Sequence, residues 1–212
     1  MWLSVKIGKG EHIILVGGPS LNQWEQYKEY PHDHWWANFV HAARLETENL
    51  KTEGINDITW LVYKPGYVAR GKQENKNLIE DINSVKEKFK IKLTFFNTGR
   101  EVIDYINAQP VNSITGLEYF GHSNKSCFMF DYSSVVDSSS KAWLHEEELN
   151  QLNRKVFARN CFIKSWGCHT GESMSQKWHK ALGNYMVGAN GKTTYLEEEL
   201  PIIETIGGGW TK

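Results

Sequence analysis

The sequence predicts an α/β fold, a three-layer αβα sandwich in which helices cover both faces of a mostly parallel central sheet. Two observations predict it. Apolar runs such as residues 12–16 and 58–63 lack polar alternation, as strands buried on both faces do. Strand-like and helix-like segments then alternate along the chain, which is typical of repeated β-α-β units. A chain of 212 residues suits one domain. We expect its core at about residues 11–191 and a solvated tail at about 197–212.

The first half of the chain alternates strands with helices and a polar loop. The predicted strands are 12–16, 58–63 and 91–96, and the predicted helices are 35–50 and 78–89. Residues 21–33 are polar and aromatic and predict a loop, and Pro65-Gly66 is expected to end the second strand. Thr98 and Glu101 match a capping box, so a short helix should begin there and end near Pro110.

The second half continues the alternation. The predicted strands are 114–120, a hairpin arm or added strand at 127–132, the strand that leads to Cys168, and 185–188. Helical spacing predicts a helix at 145–157 and another after Cys168, which Gly183 should end. Residues 131–140 are rich in Ser and Asp and predict a loop.

Charge and cysteine content exclude several classes of protein. With 24 basic and 25 acidic residues the net charge is −1, so no overall field attracts nucleic acid or an anionic membrane. Lys6, Lys9 and Glu11 interrupt the first apolar run before it reaches signal-peptide length, and no run approaches the roughly 20 residues of a membrane span. Three cysteines make no disulfide framework. We expect a cytoplasmic protein; leaderless export and oligomeric state leave no mark in the sequence.

Two strand ends carry the side chains that a cysteine-nucleophile enzyme needs. Cys161 to Gly171 is an apolar strand that ends in Gly167-Cys168 before a helical pattern, so we expect the thiol beside a helix N-terminus that favours a thiolate. The strand at 114–120 ends in Gly121-His122. Reactive groups of parallel sheets collect beyond the carboxyl ends of the strands, which puts His122 and Cys168 on the same rim.

These residues resemble a known family, the caspase-like cysteine peptidases, which include caspases, metacaspases, clostripain-like enzymes and separases. Gly121-His122-Ser123 is similar to the strand-end Gly-His-Gly of that family, with Ser123 in place of the second Gly. Gly167-Cys168-His169-Thr170-Gly171 is similar to the Cys-His-Ser-Gly of metacaspases, and the His precedes the Cys by the expected interval. The resemblance covers about residues 11–191 and implies a caspase-like fold.

The resemblance implies a cysteine endopeptidase that cleaves proteins or peptides through a thioester acyl-enzyme, with no cofactor and no metal. Cys168 would be the nucleophile and His122 the general acid and base. The backbone N–H groups of Ser123 and Cys168 would stabilise the oxyanion. Trp166 stands where these enzymes carry a specificity side chain, so we expect it at the substrate pocket, with His169 as a packing or substrate-facing residue.

Two other functions fit the same pattern. A catalytically inactive caspase-like binding module would keep the fold, with Cys168 a small buried hydrophobe and His122 structural. A flavodoxin-like nucleotide-binding domain would share the sheet, although residues 188–193 lack the glycine spacing and the following helix of a phosphate-binding loop.

Three further groups of residues predict no site. His32-Asp33-His34 matches no standard zinc spacing. Residues 131–140 have too few carboxylates for a calcium loop. Cys127 and Cys161 lie within apolar strands and are predicted to be core residues.

Overall fold

A computed structural model describes residues 10–21, 34–132 and 141–211. In chain order the strands of the main sheet are β1 (Glu11–Val16), β2 (Ile58–Tyr63), β3 (Lys92–Phe96), β4 (Ile114–Phe120), β8 (Phe157–Ser165) and β9 (Met186–Val187). A small antiparallel sheet is inserted after β4, and its strands are β5 (His122–Asn124), β6 (Cys127–Met129) and β7 (Trp143–His145). The main sheet is all parallel, in the order β3-β2-β1-β4-β8-β9.

Helices cover both faces of this sheet. They are α1 (Asn38–Thr52), α2 (Lys64–Glu74), α3 (Leu78–Phe89), α4 (Gly99–Asn107) and α5 (Met174–Leu182). Side chains of α1, α2 and α3 pack on one face with Trp60 and Phe120, and those of α4 and α5 pack on the other with Leu15 and Ile163. The predicted αβα sandwich is therefore confirmed. Among the helices of the described ranges, none has the length and apolar composition that crossing a membrane requires.

Most predicted elements are confirmed to within a few residues. The strands at 58–63 and 114–120 match β2 and β4 at both ends. Gly183 ends α5 in the left-handed conformation, with φ of 84°. Thr98 caps α4 by accepting from the N–H of Glu101, and the carboxylate of Glu101 accepts from the N–H of Asn97 and from the hydroxyl of Thr98. The predicted loops at 21–33 and 131–140 lie mostly outside the described residues, as do His32 and Asp33.

One local prediction is incomplete and another is wrong. β2 ends before Pro65-Gly66, as predicted, but these residues do not begin a loop: they lie in the first turn of α2, where a proline costs no hydrogen bond. The helix expected at 145–157 is two 3₁₀ segments, Glu146–Gln151 and Arg154–Val156, and β8 already begins at Phe157. The apolar spacing does mark buried positions, because Leu149 and Val156 are buried, but the turns that bury them are 3₁₀ turns.

The C-terminal segment is not the free, solvated tail that its composition suggested. β10 (Ala189–Asn190) pairs with β13 (Gly209–Trp210), and β11 (Thr193–Thr194) pairs with β12 (Ile202–Ile203). Thr211 N–H donates to Gly188 O at 2.8 Å. These ladders tie the segment to the part of the chain that follows β9.

Candidate active site

The ends of β4 and β8 bring His122 and Cys168 to one rim of the sheet. The two strands are neighbours, and Tyr119 is opposite Ser165 in their register. His122 and Cys168 each follow that pair by three residues. Gly167 permits the contact between the two chain segments, because a Cβ atom there would overlap Ser123 Oγ and lie 2.8 Å from Gly121 O. The sequence-based expectation that the topology unites these two strand ends agrees with this geometry.

Ser123 is tied to the cysteine segment by its side chain, and its backbone is unstrained. Its hydroxyl donates to Cys168 O at 2.8 Å. Its φ is not among the positive values of the described non-glycine residues, so a serine fits where the family pattern has glycine.

Two backbone N–H groups on this rim have no partner within the described ranges. The two-residue turn of the β5-β6 hairpin makes Asn124–Cys127 a hydrogen-bonded pair, and alternation then leaves Ser123–Phe128 non-hydrogen-bonded. The N–H of Ser123 therefore points away from β6. Cys168 N–H makes no hydrogen bond to another described residue, whereas Gly167 N–H donates to Ser165 Oγ and His169 N–H to Gly191 O. Within the described chain, both N–H groups therefore remain able to donate a hydrogen bond to the oxygen of a ligand.

The ring of His122 packs between two aromatic rings. Its centroid lies 4.9 Å from that of Phe39 and 4.5 Å from that of Tyr132. The carbonyl of His122 accepts from the hydroxyl of Tyr119 at 2.6 Å. These contacts fix both the backbone and the plane of a half-buried imidazole.

Thr193 engages the sulfur of Cys168. Thr193 N–H donates to Sγ at 3.4 Å, and Sγ lies 3.5 Å from Thr193 Oγ1 and 3.7 Å from Thr193 O. Thr193 Oγ1 in turn donates to Trp166 O at 2.9 Å. Within the described chain these are the hydrogen bonds of the sulfur, and none joins it to His122. Sequence patterns did not predict a role for Thr193 beside the sulfur, because residues 188–193 were considered only as a possible phosphate-binding loop.

The thiol does not sit at a helix N-terminus as expected. Turn residues separate Cys168 from α5, which begins at Met174. The first N–H group of α5, that of Met174, already donates to Lys125 O at 2.8 Å. In the described chain, the N–H group that donates to the sulfur is that of Thr193, not one of the first turn of α5.

Trp166 does not stand at the mouth of a pocket beside Cys168, as its position in the motif suggested. It is only 6% exposed and packs on the α1 face of the sheet. Its ring stacks on Phe120 with centroids 5.7 Å apart and meets Trp210 edge-on at 5.4 Å. The ammonium of Lys164 lies 3.2 Å from the centroid of the Trp166 ring. The ring of Trp166 therefore packs on the α1 face of the sheet.

Buried ionisable groups surround Trp166 on this face. Glu118 accepts from Trp166 Nε1 at 2.8 Å, its Oε1 lies 2.9 Å from His12 Nε2, and the side chains of Glu118 and His12 are both fully buried. Burial, and then the charge of Glu118, raise the pKa of Glu46 to about 8. Burial lowers the pKa of Lys164 to about 8. A cavity of about 390 Å³ is lined in part by Glu46, Glu118, Lys164 and Trp166.

His169 lies on the wall of a separate polar cleft of about 460 Å³. Its φ of 62° places it in the left-handed region, which a non-glycine residue adopts at a cost. Its ring contacts Glu172, whose Oε1 lies 2.5 Å from Nδ1. The cleft is lined by Asn124, Lys125, Ser126, His145, His169 and Glu172.

The remaining cysteines are core residues, as predicted. Cys127 and Cys161 are each 8% exposed, and burial raises the pKa of both thiols to about 12. Cys168 is the partly exposed thiol of the three. Cys168 is thus the most exposed of the three cysteines, and burial protects the other two.

No family model, curated protein or solved structure matches this chain. Over residues 10–21, 34–132 and 141–211, no three His, Cys, Asp or Glu side chains converge as a metal ion would require. Residues 188–193 lead into the strand β11 and not into the helix that a phosphate-binding loop needs.

Proposed function

We propose that this chain is a cysteine endopeptidase in which Cys168 is the nucleophile and His122 is the general acid and base. One observation carries the proposal: His122 and Cys168 follow neighbouring parallel strands by the same three-residue interval beyond the Tyr119–Ser165 pair. The two unused N–H groups of Ser123 and Cys168 on that rim support it further. The motif resemblance makes the chain a distant candidate for the caspase-like cysteine peptidases.

The chemistry would be acyl transfer in two halves. The Cys168 thiolate attacks the carbonyl carbon of a peptide, and the oxyanion forms between the N–H groups of Ser123 and Cys168. His122 then gives its proton to the amine, so that the C–N bond breaks and a thioester remains. Water, deprotonated by His122, attacks the thioester, and the C–S bond breaks to release the acid and restore the thiolate.

A test of this proposal compares three single variants on a peptide substrate found by library screening. We expect Cys168→Ala and His122→Ala to lower kcat/KM by at least about a thousandfold, because nucleophile and base act as a unit. Cys161→Ala is the matched control, since it removes a buried thiol on the same strand and should keep activity. Hydrolysis that survives in either the Cys168 or the His122 variant would refute the assignment.

One observation favours a second function, a catalytically inactive binding module. The hydrogen bonds of Sγ are made with Thr193 rather than with His122. A substrate-free enzyme can also lack a hydrogen bond between Cys168 and His122, since catalytic hydrogen bonds often tighten only when substrate is bound. A peptidyl thiol-reactive probe at neutral pH discriminates between the two functions. Labelling confined to Cys168 supports the peptidase, and an unlabelled Cys168 supports the module; Cys127 and Cys161 are internal controls because of their raised pKa values.

A further inference from the structure

Tyr195 contacts the candidate site from the same segment of chain that holds the sulfur. It follows β11 directly and stands two residues after Thr193, whose N–H donates to Cys168 Sγ at 3.4 Å. The hydroxyl of Tyr195 accepts from the N–H of Gly121, the residue before His122, at 3.0 Å. One short segment therefore contacts both strand ends that carry the proposed dyad.

The ring of Tyr195 begins a row of aromatic contacts that ends on the imidazole of His122. Its centroid lies 4.7 Å from that of Phe39, with the two ring planes at 76°. Phe39 in turn meets the ring of His122 edge-on, with the centroids 4.9 Å apart. Because Phe39 is fully buried, packing passes a displacement of Tyr195 on to the imidazole.

The backbone around His122 is held by two tyrosine hydroxyls. That of Tyr119 donates to His122 O at 2.6 Å, and that of Tyr195 accepts from Gly121 N–H. Gly121 has no side chain that restricts its backbone, so an acceptor for its N–H limits a peptide that could otherwise rotate. The hydrogen bond with Tyr195 therefore fixes the chain directly before the imidazole.

The segment that carries Tyr195 has a support of its own. β11 pairs antiparallel with β12. Lys192 N–H donates to Thr205 Oγ1 at 2.8 Å, and Lys192 O accepts from Glu204 N–H at 2.9 Å. The half-buried ring of Tyr195 also packs against the apolar cluster of the α1 face. The C-terminal segment thus presents the Tyr195 hydroxyl from a scaffold separate from β4.

We infer that Tyr195 is a positioning residue for His122. Its hydroxyl holds the backbone of Gly121, and its ring holds Phe39 against the imidazole, in the orientation that the proton transfers require. This inference rests on the proposed function for the task of His122. Because Tyr195 acts on the reaction through His122, its loss should slow the chemical step and leave substrate binding unchanged.

Tyr195→Phe tests the inference, because it removes the hydroxyl and keeps the ring. On the peptide substrate we expect kcat to fall about tenfold and KM to stay within about twofold of the parent, since a misplacement of about 1 Å can cost about a hundredfold in rate. Tyr185→Phe is the matched control. It removes the hydroxyl of a largely exposed tyrosine that stacks on His179 of α5, and it should leave both constants unchanged.

NMR of the imidazole gives a second readout that requires no activity. In Cys168→Ala protein, the neighbouring aromatic rings shift the Hε1 and Hδ2 resonances of His122, which are assigned by their absence when His122→Ala is added. We expect Tyr195→Phe to displace these resonances and Tyr185→Phe to leave them in place. The dispersion of the same spectra shows that each variant is folded.

The outcomes separate this inference from the proposed function. A parent that cleaves peptides, with a Tyr195→Phe variant whose kcat is within about twofold of it or whose KM rises instead, overturns the positioning role and leaves the peptidase. Resonances of His122 that Tyr195→Phe does not displace also overturn it. Displaced resonances in a protein whose parent form cleaves none of the library overturn the peptidase, and the orientation of His122 by Tyr195 stands.

Discussion

Gly167→Ala tests the close contact on which the candidate site depends. A Cβ atom at position 167 would overlap Ser123 Oγ, and would lie 2.8 Å from Gly121 O and 2.9 Å from Ser123 Cβ. A serine hydroxyl can rotate away, but a backbone oxygen and a Cβ atom cannot. The segments that follow β4 and β8 must therefore separate, and with them His122 and Cys168.

The expected magnitude follows from two losses. Overpacking of a close contact costs about 1–3 kcal/mol. The hydrogen bond from the Ser123 hydroxyl to Cys168 O, now 2.8 Å long, would also break, which costs about 1 kcal/mol. We expect the free energy of unfolding to fall by about 2–4 kcal/mol. Displacement of the reacting groups should also lower kcat/KM at least about tenfold.

Urea denaturation followed by tryptophan fluorescence measures the loss of stability. Gly209→Ala is the matched control, since its added methyl meets no atom within 4 Å and we expect a change of at most about 0.5 kcal/mol. Adding Ser123→Gly to Gly167→Ala removes the overlapping hydroxyl and should restore about 1 kcal/mol. Equal stability of the two alanine variants, or no recovery in the double variant, would refute the contact.

Two further expectations concern the α1 face. The folded protein holds a proton on Glu46 that the unfolded chain releases, because burial raises the pKa from 4.5 to about 8, so the contribution of Glu46 to stability falls as pH rises through that range. As pH rises from 5 to 8, the free energy of unfolding of Glu46→Gln, measured by urea denaturation, should therefore increase by about 2 kcal/mol relative to that of the parent. Parallel pH profiles of the two proteins would contradict this. Trp210→Ala removes the edge-on contact with Trp166 and should cost about 2 kcal/mol of unfolding free energy; a loss below about 0.5 kcal/mol would show that β13 is dispensable.

The sequence alone determined the layers of this fold. Uninterrupted apolar runs predict strands buried on both faces, and β1, β2 and β4 have no exposed residue. The alternation with helices then predicts parallel strands. These properties are local, because a strand or a helix shows its buried positions in its own periodicity. The end of β2 before Pro65 was predicted in this way, but the local pattern did not reveal that Pro65 also lies in the first turn of α2.

Only the tertiary structure decided what surrounds the reactive sulfur. Gly121-His122 and Gly167-Cys168 were visible as strand ends, but the pairing of β4 with β8 depends on contacts between distant segments. Thr193 reaches Sγ from β11, and His145 comes to the cleft wall from β7. The motif pointed Trp166 to the substrate pocket, yet its ring packs on the α1 face, where Glu118 accepts its N–H. A side chain's neighbours follow from packing across the sheet, which no sequence period encodes.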